Sequence, residues 1–253
     1  MKLMKTIGLA VLLLAGTAWA GSKLILDKTF GLAETEKIEV LAYKGEEKTV
    51  KVKTGAGIST RELDSFPEAA QKEILAWVAD EIFNSSSGLR VRIKDICVST
   101  SFEQTCPKIT GDNDRITYVV ELENRGDVAV DGVRVEASIF YEQYKSGQEE
   151  KNKCRVNSSA TFDILPEKKE MFKSRTVEIR DEIWKFESFS AGNTTYSTPT
   201  EYIEDKLNGM VLVLTRTSRN GEVVKREFKD GRPPKPKKQS EYRELSKAAR
   251  KSR

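Results

Sequence analysis

Two runs of alternating apolar residues within residues 115–141 constrain the fold of this chain most. In each run an apolar side chain occupies every second position. This period of two is typical of half-buried β-strands, and the Gly- and Asp-containing segments beside the runs are typical of turns. The apolar positions are Ile116, Tyr118, Val120 and Leu122 in the first run and Val133, Val135, Ala137, Ile139 and Tyr141 in the second. The stretch therefore predicts a β-hairpin with one buried face.

Comparable strand patterns recur through residues 89–228. The predicted strands are 89–98, 116–123, 133–141, 155–164, 170–179, 210–217 and 223–228. About seven short strands in roughly 140 residues fit an immunoglobulin-like antiparallel β-sandwich. Residues 181–208 alternate less regularly, which indicates an irregular strand and a long loop. We therefore expect a mainly β protein.

A smaller β unit precedes the sandwich, in residues 21–83. Its short β-runs are separated by Gly-containing turns. The motif Ser65-Phe66-Pro67-Glu68 predicts a capping box, and a helix follows to about Phe83. Apolar residues recur at four-residue spacing along it, at Ala70, Ile74, Val78 and Ile82. This pattern predicts a small barrel-like β-meander with one C-terminal helix.

Composition marks two further segments. Residues 84–88 read Asn-Ser-Ser-Ser-Gly, which is typical of a flexible linker. Residues 229–253 are rich in Lys and contain a Pro-Lys run, which predicts a solvated tail. The linker and the tail bound the predicted sandwich at residues 89–228.

Residues 1–20 have the layout of a cleavable signal peptide. Lys2 and Lys5 precede an apolar run at 7–15, and Ala18-Trp19-Ala20 precedes Gly21. The apolar run is shorter than the roughly 20 residues that a transmembrane helix needs. We expect a mature chain that begins at Gly21 and is periplasmic or secreted.

The chain has three cysteines, and export to an oxidising compartment favours one disulfide with one thiol left over. Cys97 and Cys106 are the predicted pair because only a short loop separates them, and closing it would stabilise the fold by roughly 2 to 3 kcal/mol. The alternative is that all three, including Cys154, are small buried apolar residues. Without histidine they do not form a usual zinc site, so no metal and no cofactor are predicted.

The absence of histidine also bears on catalysis. It excludes Ser-His-Asp and Cys-His arrangements and an imidazole general base. We therefore expect no enzyme activity, with one alternative: a carboxylate-dependent hydrolase of an envelope polymer, since paired acids can hydrolyse glycosides. The motif Gly111-Asp112-Asn113-Asp114 predicts a turn more than a calcium site, because the bidentate glutamate of a calcium loop is absent.

Charge is placed unevenly along the chain. Residues 229–253 hold ten Lys/Arg and three Asp/Glu, a net charge of +7, whereas residues 21–228 hold 31 basic and 36 acidic residues, a net charge of −5. The candidate attachment residues are Lys235, Lys237, Lys238, Arg243, Lys247, Arg250, Lys251 and Arg253. Each would gain about 1 kcal/mol near an anionic membrane. The expected partners are a membrane surface or an anionic envelope polymer, rather than nucleic acid; the alternative is a tail that only aids solubility.

A second candidate surface is aromatic. Trp184, Phe186, Phe189, Tyr196 and Tyr202 fall in or beside a loop-rich stretch, where sandwich domains often display binding surfaces. They suggest contact with a protein partner. Together these features predict an exported, non-catalytic binding or scaffolding protein with an unidentified ligand and oligomeric state.

The motifs Glu123-Asn124-Arg125-Gly126 and Asp131-Gly132-Val133-Arg134-Val135 resemble the hairpins of immunoglobulin-like adhesion-type domains in exported bacterial proteins. The first unit, with Leu63-Asp64-Ser65 before its helix, resembles the Src-homology-3-like module of fungal endocytic adaptors. Copies of that module occur in exported planctomycete and verrucomicrobial proteins, followed there by an immunoglobulin-like unit. Trp77, Ser86-Ser87-Gly88 and Phe140-Tyr141-Glu142-Gln143 stand in the same order here.

This resemblance covers most of the mature chain and implies its fold. It implies no reaction, because that bacterial family has none assigned. The chain departs from the first module's usual opening tryptophan and Asp-Gly turn, with Thr29-Phe30 and Gly55-Ala56-Gly57 in those places. The module's peptide-binding residues have no counterparts here.

Overall fold

The computed structural model describes residues 23–34, 36–105, 108–144, 151–185, 189–191, 194–196 and 200–245. The predicted signal peptide lies outside these residues. In the part of the chain that the structure describes, no helix is long and apolar enough to cross a membrane. The fold is mainly β, as predicted, and its sheets are built largely from antiparallel pairs.

The first unit is a four-stranded antiparallel sheet with one helix. Its elements are β1 (Leu24–Leu26), β2 (Ile38–Lys44), β3 (Thr49–Thr54), β4 (Gly57–Glu62) and α1 (Glu68–Asn84). The strands pair in chain order, and alternation along β3 buries Val50 and Val52. Ala70 and Ile74 of α1 pack against them. The predicted helix is thus confirmed, together with the sheet that it covers.

The predicted capping box at the start of α1 is wrong. The Ser65 hydroxyl donates to the carbonyl of Glu62 at 2.6 Å instead of accepting from a helix amide. Glu68 forms an ion pair with Lys72 at 2.6 Å. The N-cap residue is Pro67, which supplies no side-chain cap, because Leu63–Ser65 form a 3₁₀ turn that directs Ser65 backwards.

Two larger sheets share a single core. One has the order β13-β10-β6-β5, with β9 also paired to β6, and the other has the order β15-β14-β7-β8-β16. The bounds of the first sheet are β5 (Leu89–Thr105), β6 (Lys108–Asn124), β9 (Lys169–Lys173), β10 (Val177–Lys185) and β13 (Glu201–Glu204). Those of the second are β7 (Val130–Gln143), β8 (Asn152–Ile164), β14 (Lys206–Thr217), β15 (Val223–Gly231) and β16 (Arg243–Glu244). A separate hairpin joins β11 (Phe189–Ala191) to β12 (Thr194–Tyr196).

The two alternating runs of the sequence form β6 and β7, but they are not a hairpin. β6 pairs with β5, β9 and β10, whereas β7 pairs with β8 and β14. The apolar residues of both strands are buried in the same core, so the two strands face each other across it. At this change of sheet, the side-chain amide of Asn124 donates to the carbonyls of Val128 and Ile164, each at 2.9 Å.

Helix α1 also reaches the core of the two larger sheets, through Ile82 and Phe83. Its Asp80 carboxylate binds the guanidinium of Arg216 and accepts from the amide of Arg219 at 3.0 Å. The chain then enters β5 through an ordered turn, in which a Cβ at Gly88 would lie 2.8 Å from the Cα of Ile82. This packing differs from the flexible linker predicted for residues 84–88.

The prediction of a solvated tail is wrong for residues 229–245. β15 continues to Gly231, a 3₁₀ helix spans Pro236–Glu241, and β16 pairs in parallel with β8. Tyr242 is buried. The burial of one aromatic side chain and the pairing of a short strand hold this segment on the fold, despite its Pro- and Lys-rich composition. Residues 246–253 lie outside the described residues.

Candidate binding surfaces

We call residues 229–245 the docked segment, because Tyr242 holds them against the outer face of the second large sheet. The ring of Tyr242 meets that of Phe140 edge to face, with centroids 5.2 Å apart and an interplanar angle of 87°. The Asn208 side-chain amide donates to the Tyr242 hydroxyl at 2.9 Å. That hydroxyl donates to Glu142 at 3.4 Å. Burial is the main cause of the raised pKa of Tyr242, and the charge of Glu142 raises that pKa further.

Two ion pairs and one backbone bond extend this attachment along β8. Lys153 binds Glu241 at 2.5 Å, and Arg155 binds Glu244 at 3.9 Å. The hydrogen bond and charge of Glu241 raise the pKa of Lys153. The amide of Leu245 donates to the carbonyl of Arg155 at 3.0 Å. Glu241 and Glu244 therefore help to hold the docked segment in place.

The predicted basic residues of the docked segment point into solvent. Lys235, Lys237, Lys238 and Arg243 are all exposed. Among the ion pairs of the described residues, none involves these four side chains. The structure thus holds four cations at set positions on the folded surface. The other four candidates, Lys247, Arg250, Lys251 and Arg253, lie outside the described residues.

The predicted aromatic surface is divided between two faces of a sheet. Tyr202 lies opposite Ile183 and Trp184 lies opposite Glu201, so the Trp184 and Tyr202 side chains leave opposite faces. Trp184 is half-buried and its indole donates to Glu182 at 2.9 Å, whereas Tyr202 is 65% exposed. Phe189 and Tyr196 pair in the hairpin of β11 and β12, and Phe186 lies outside the described residues.

The core face of the first large sheet continues beyond the core as an acidic groove. It is lined in part by Asp112 and Asp181, which lie opposite each other on β6 and β10. Ser101 donates to Asp112 at 2.6 Å. The predicted turn at residues 111–114 is wrong, because pairing on both sides keeps this segment in β6. The described residues contain no group of three metal-ligating side chains.

Among the described residues, the longest continuous run of exposed residues lies on β5, at an edge of its sheet. Every residue from Lys94 to Gln104 is exposed, and β6 is the strand's partner in the described sheet. Sequence analysis predicted this strand only to residue 98. The signal that it missed is a seven-residue run without charge, residues 96–102, in a chain whose residues are 32% charged. Ile96, Val98 and Phe102 of that run are exposed apolar side chains.

The predicted disulfide between Cys97 and Cys106 is not formed in this structure. Cys97 is exposed and Cys154 is buried, neither of them in a disulfide within the described residues, and Cys106 lies outside those residues. β5 is continuous from Leu89 to Thr105, so eight residues, about 26 Å of strand, separate Cys97 from Thr105. A disulfide requires Cα atoms within roughly 7 Å. The extended strand that follows Cys97 takes the place of the expected short loop and carries the chain well beyond that distance.

Comparisons with known proteins give a weak structural likeness. No model of a protein family matches it, and no curated protein matches it. The X-ray structure of a Northeast Structural Genomics Consortium target, SoR45, aligns with 59% of this chain and 91% of its own. The two share 12% identity with a TM-score of 0.24, a likeness too weak to support an argument about fold or function.

Proposed function

We propose that this protein is an exported, non-catalytic binding or scaffolding protein of the bacterial cell envelope, which attaches to an anionic polymer through its docked segment. The first unit, an antiparallel sheet with a C-terminal helix, supports the Src-homology-3-like assignment. Two sheets around one core support the immunoglobulin-like one. In this proposal the folded body is a rigid platform for the basic surface.

The observation that carries the proposal is the anchoring of the docked segment. Burial of Tyr242 and pairing of β16 fix the backbone that bears Lys235, Lys237, Lys238 and Arg243. A ligand that binds these cations need not order the backbone, which costs roughly 1 to 2 kcal/mol per residue in a flexible chain. The segment therefore offers charge at a lower entropic cost than the solvated tail expected from composition.

The size of the attraction follows from the charges. At about 1 kcal/mol per cation near an anionic surface, the four described cations supply about 4 kcal/mol at low salt. This is a millimolar affinity for one site, and a polymer that repeats its anionic groups strengthens it through multiple contacts. Because the groups are exposed, added salt should weaken the attraction steeply.

The test compares two charge-reversed variants of the chain that begins at Gly21 for retention on purified envelope fractions across a salt series. One carries K235E, K237E and K238E, and a matched control reverses three exposed lysines of other strands, K51E, K53E and K206E.

We expect the unaltered chain and the control to be retained at low salt and the docked-segment variant to be lost. Equal retention of both variants would contradict the proposal. Truncation at residue 228 is a poorer test, because it also removes the end of β15 and the buried Tyr242.

The alternative proposal is a carboxylate-dependent hydrolase, and one pair of residues in the structure supports it. Asp112 and Asp181 lie opposite each other at the acidic groove, and paired carboxylates are the groups such a reaction uses. Incubating envelope polymer with the unaltered chain and with D112N/D181N distinguishes the two proposals. Release of new reducing ends by the unaltered chain alone would favour the hydrolase.

A further inference from the structure

The open edge of β5 is built differently from most exposed strand edges. An edge strand presents unpaired N–H and C=O groups, and proteins usually protect it with charged residues, prolines or a bulge. Here the charges stop at Asp95 and resume at Glu103, and the intervening residues contain no proline. Pairing with β6 is continuous from Leu89 to Thr105, without a bulge. Among the residues that the structure describes, no charge, proline or bulge interrupts this edge over residues 96–102, so it is regular there.

The two faces of this strand differ in chemistry. Ile96 and Val98, 50% and 57% exposed, leave one face, while Cys97 and Ser99 leave the other. A two-fold axis perpendicular to the sheet would bring a second β5 alongside in antiparallel direction and keep the faces matched. The apolar row of one copy would then meet the apolar row of the other. This self-complementarity is what a closed two-fold interface requires.

We propose that two copies of this chain associate through antiparallel pairing of their β5 edges, with Cys97 opposite Cys97 of the second copy. In this register Ile96 of each copy lies opposite Val98 of the other. Asp95 of each copy likewise lies opposite Ser99 of the other, and Lys94 lies opposite Thr100. No charge faces another charge, and the paired stretch, residues 94–100, is exposed throughout. The two four-stranded paths would join into one continuous sheet.

Neighbouring registers fit less well. Centring the pair on Val98 places Ile96 opposite Thr100 and leaves one apolar pair in place of two. Centring it on Ser99 places Asp95 opposite Glu103, and like charges directly opposite are destabilising. Only the register centred on Cys97 matches apolar with apolar residues on one face and brings the two thiols together on the other.

The expected Cα separation of opposite residues, about 4.5 to 5.5 Å, lies within the range for a disulfide. Two thiols and one oxidised glutathione would give the intermolecular disulfide and two reduced glutathione molecules, so the oxidant accepts the two electrons and both protons. This cross-link reports the register without being needed for association. The edge belongs to the sheet opposite the docked segment's, so the dimer is independent of polymer binding.

The first experiment measures association of the chain from Gly21 under reducing conditions by sedimentation equilibrium. We expect a monomer–dimer equilibrium whose dissociation constant rises at least tenfold in V98K, because each new lysine would replace an apolar partner of Ile96 and place a charge on the paired edge. The matched control is V223K, a substitution of a 69% exposed valine on the edge strand β15. Circular dichroism checks that both variants fold.

The second experiment adds oxidised glutathione and analyses the covalent dimer. We expect a cross-link that persists in C106S/C154S and is lost in C97S, while C97S still associates under reducing conditions. A chain that stays monomeric at its highest soluble concentration would overturn the proposal, as would a dimer that V98K does not weaken. A cross-link through Cys106 or Cys154 alone would overturn the register.

Discussion

Replacing Tyr242 with alanine should detach the docked segment while leaving the two larger sheets folded. Tyr242 is 7% exposed, and it packs on Phe140 and Val211 of the outer face, away from the main core. Because this cluster is small and separate, its loss should open residues 232–245 locally and not unfold the protein. β15 should remain paired with β14 through its nine residue pairs.

The magnitude follows from what the side chain buries. A buried aromatic removes roughly 150 to 250 Å² from water, worth about 4 to 6 kcal/mol at ~25 cal/mol per Å² as an upper bound. Measured aromatic-to-alanine changes in cores cost about 3 to 5 kcal/mol. Tyr242→Phe keeps the edge-to-face contact and loses only the hydroxyl's bonds with Asn208 and Glu142, which should cost about 1 kcal/mol.

Limited proteolysis measures this opening directly. A trypsin-type protease cleaves after Lys237, Lys238 and Arg243 only when the segment leaves the sheet and becomes extended, so cleavage tracks the open population. Since 1.4 kcal/mol is a factor of ten, a loss of about 3 kcal/mol should accelerate cleavage by about 100-fold in Tyr242→Ala. The phenylalanine variant should show about a fivefold change.

An alanine at the exposed Tyr202 is the matched control, and it should leave cleavage unchanged. Equal cleavage rates in Tyr242→Ala and the unaltered chain would show that Tyr242 does not hold the segment in place. Global unfolding of the alanine variant would show that the Tyr242 cluster is part of the main core.

Three further predictions concern other parts of the fold. Asp80→Ala should cost about 3 to 5 kcal/mol in denaturant unfolding, since it leaves the largely buried guanidinium of Arg216 without its charged partner; a cost below 1 kcal/mol would contradict this pairing. Gly88→Ala should destabilise by about 1 to 3 kcal/mol in the same assay, because its Cβ would meet backbone 2.7 Å away, whereas Gly55→Ala, with open space around it, should not. The pKa of Cys97 is raised above that of an ordinary thiol, mainly by desolvation and to a smaller extent by nearby carboxylates. The thiolate is the reactive form, so alkylation of Cys97 at neutral pH should be slower in the native than in the denatured chain and should rise at a higher pH; equal pH profiles by mass spectrometry would refute it.

Sequence periodicity predicts which residues of a strand are buried, and it does so accurately in this chain. Ile116, Tyr118 and Val120 are buried, as are their counterparts on β7. Periodicity does not say which strand lies alongside which, because face-to-face and side-by-side strands need the same alternation. The predicted hairpin failed for this reason. One contact at the change of sheet, the hydrogen bond from Asn124 to the carbonyl of Ile164, joins residues 40 positions apart, and no local pattern contains it.

The docked segment shows a second limit of sequence reasoning. Prolines and lysines give residues 229–245 the composition of a linker, and a single buried residue, Tyr242, has no periodic partner to reveal it. Its partner Phe140 lies about one hundred positions away on the outer face of β7. The sequence could identify the basic residues but not the surface that holds them.

The edge of β5 can be interpreted only from the sequence and the structure together. The sequence shows that residues 96–102 carry no charge, but such a run is equally consistent with a buried central strand. The structure shows that the strand is an edge and that its side chains are exposed, but exposure alone does not distinguish an interface from ordinary surface. The composition of β5 is therefore suited to burial, although its position in the described sheet leaves it without a neighbouring strand on one side. Its matched faces and central Cys97 indicate that a second copy of the same strand can be that neighbour, which is why the position of the cross-link tests the interface so directly.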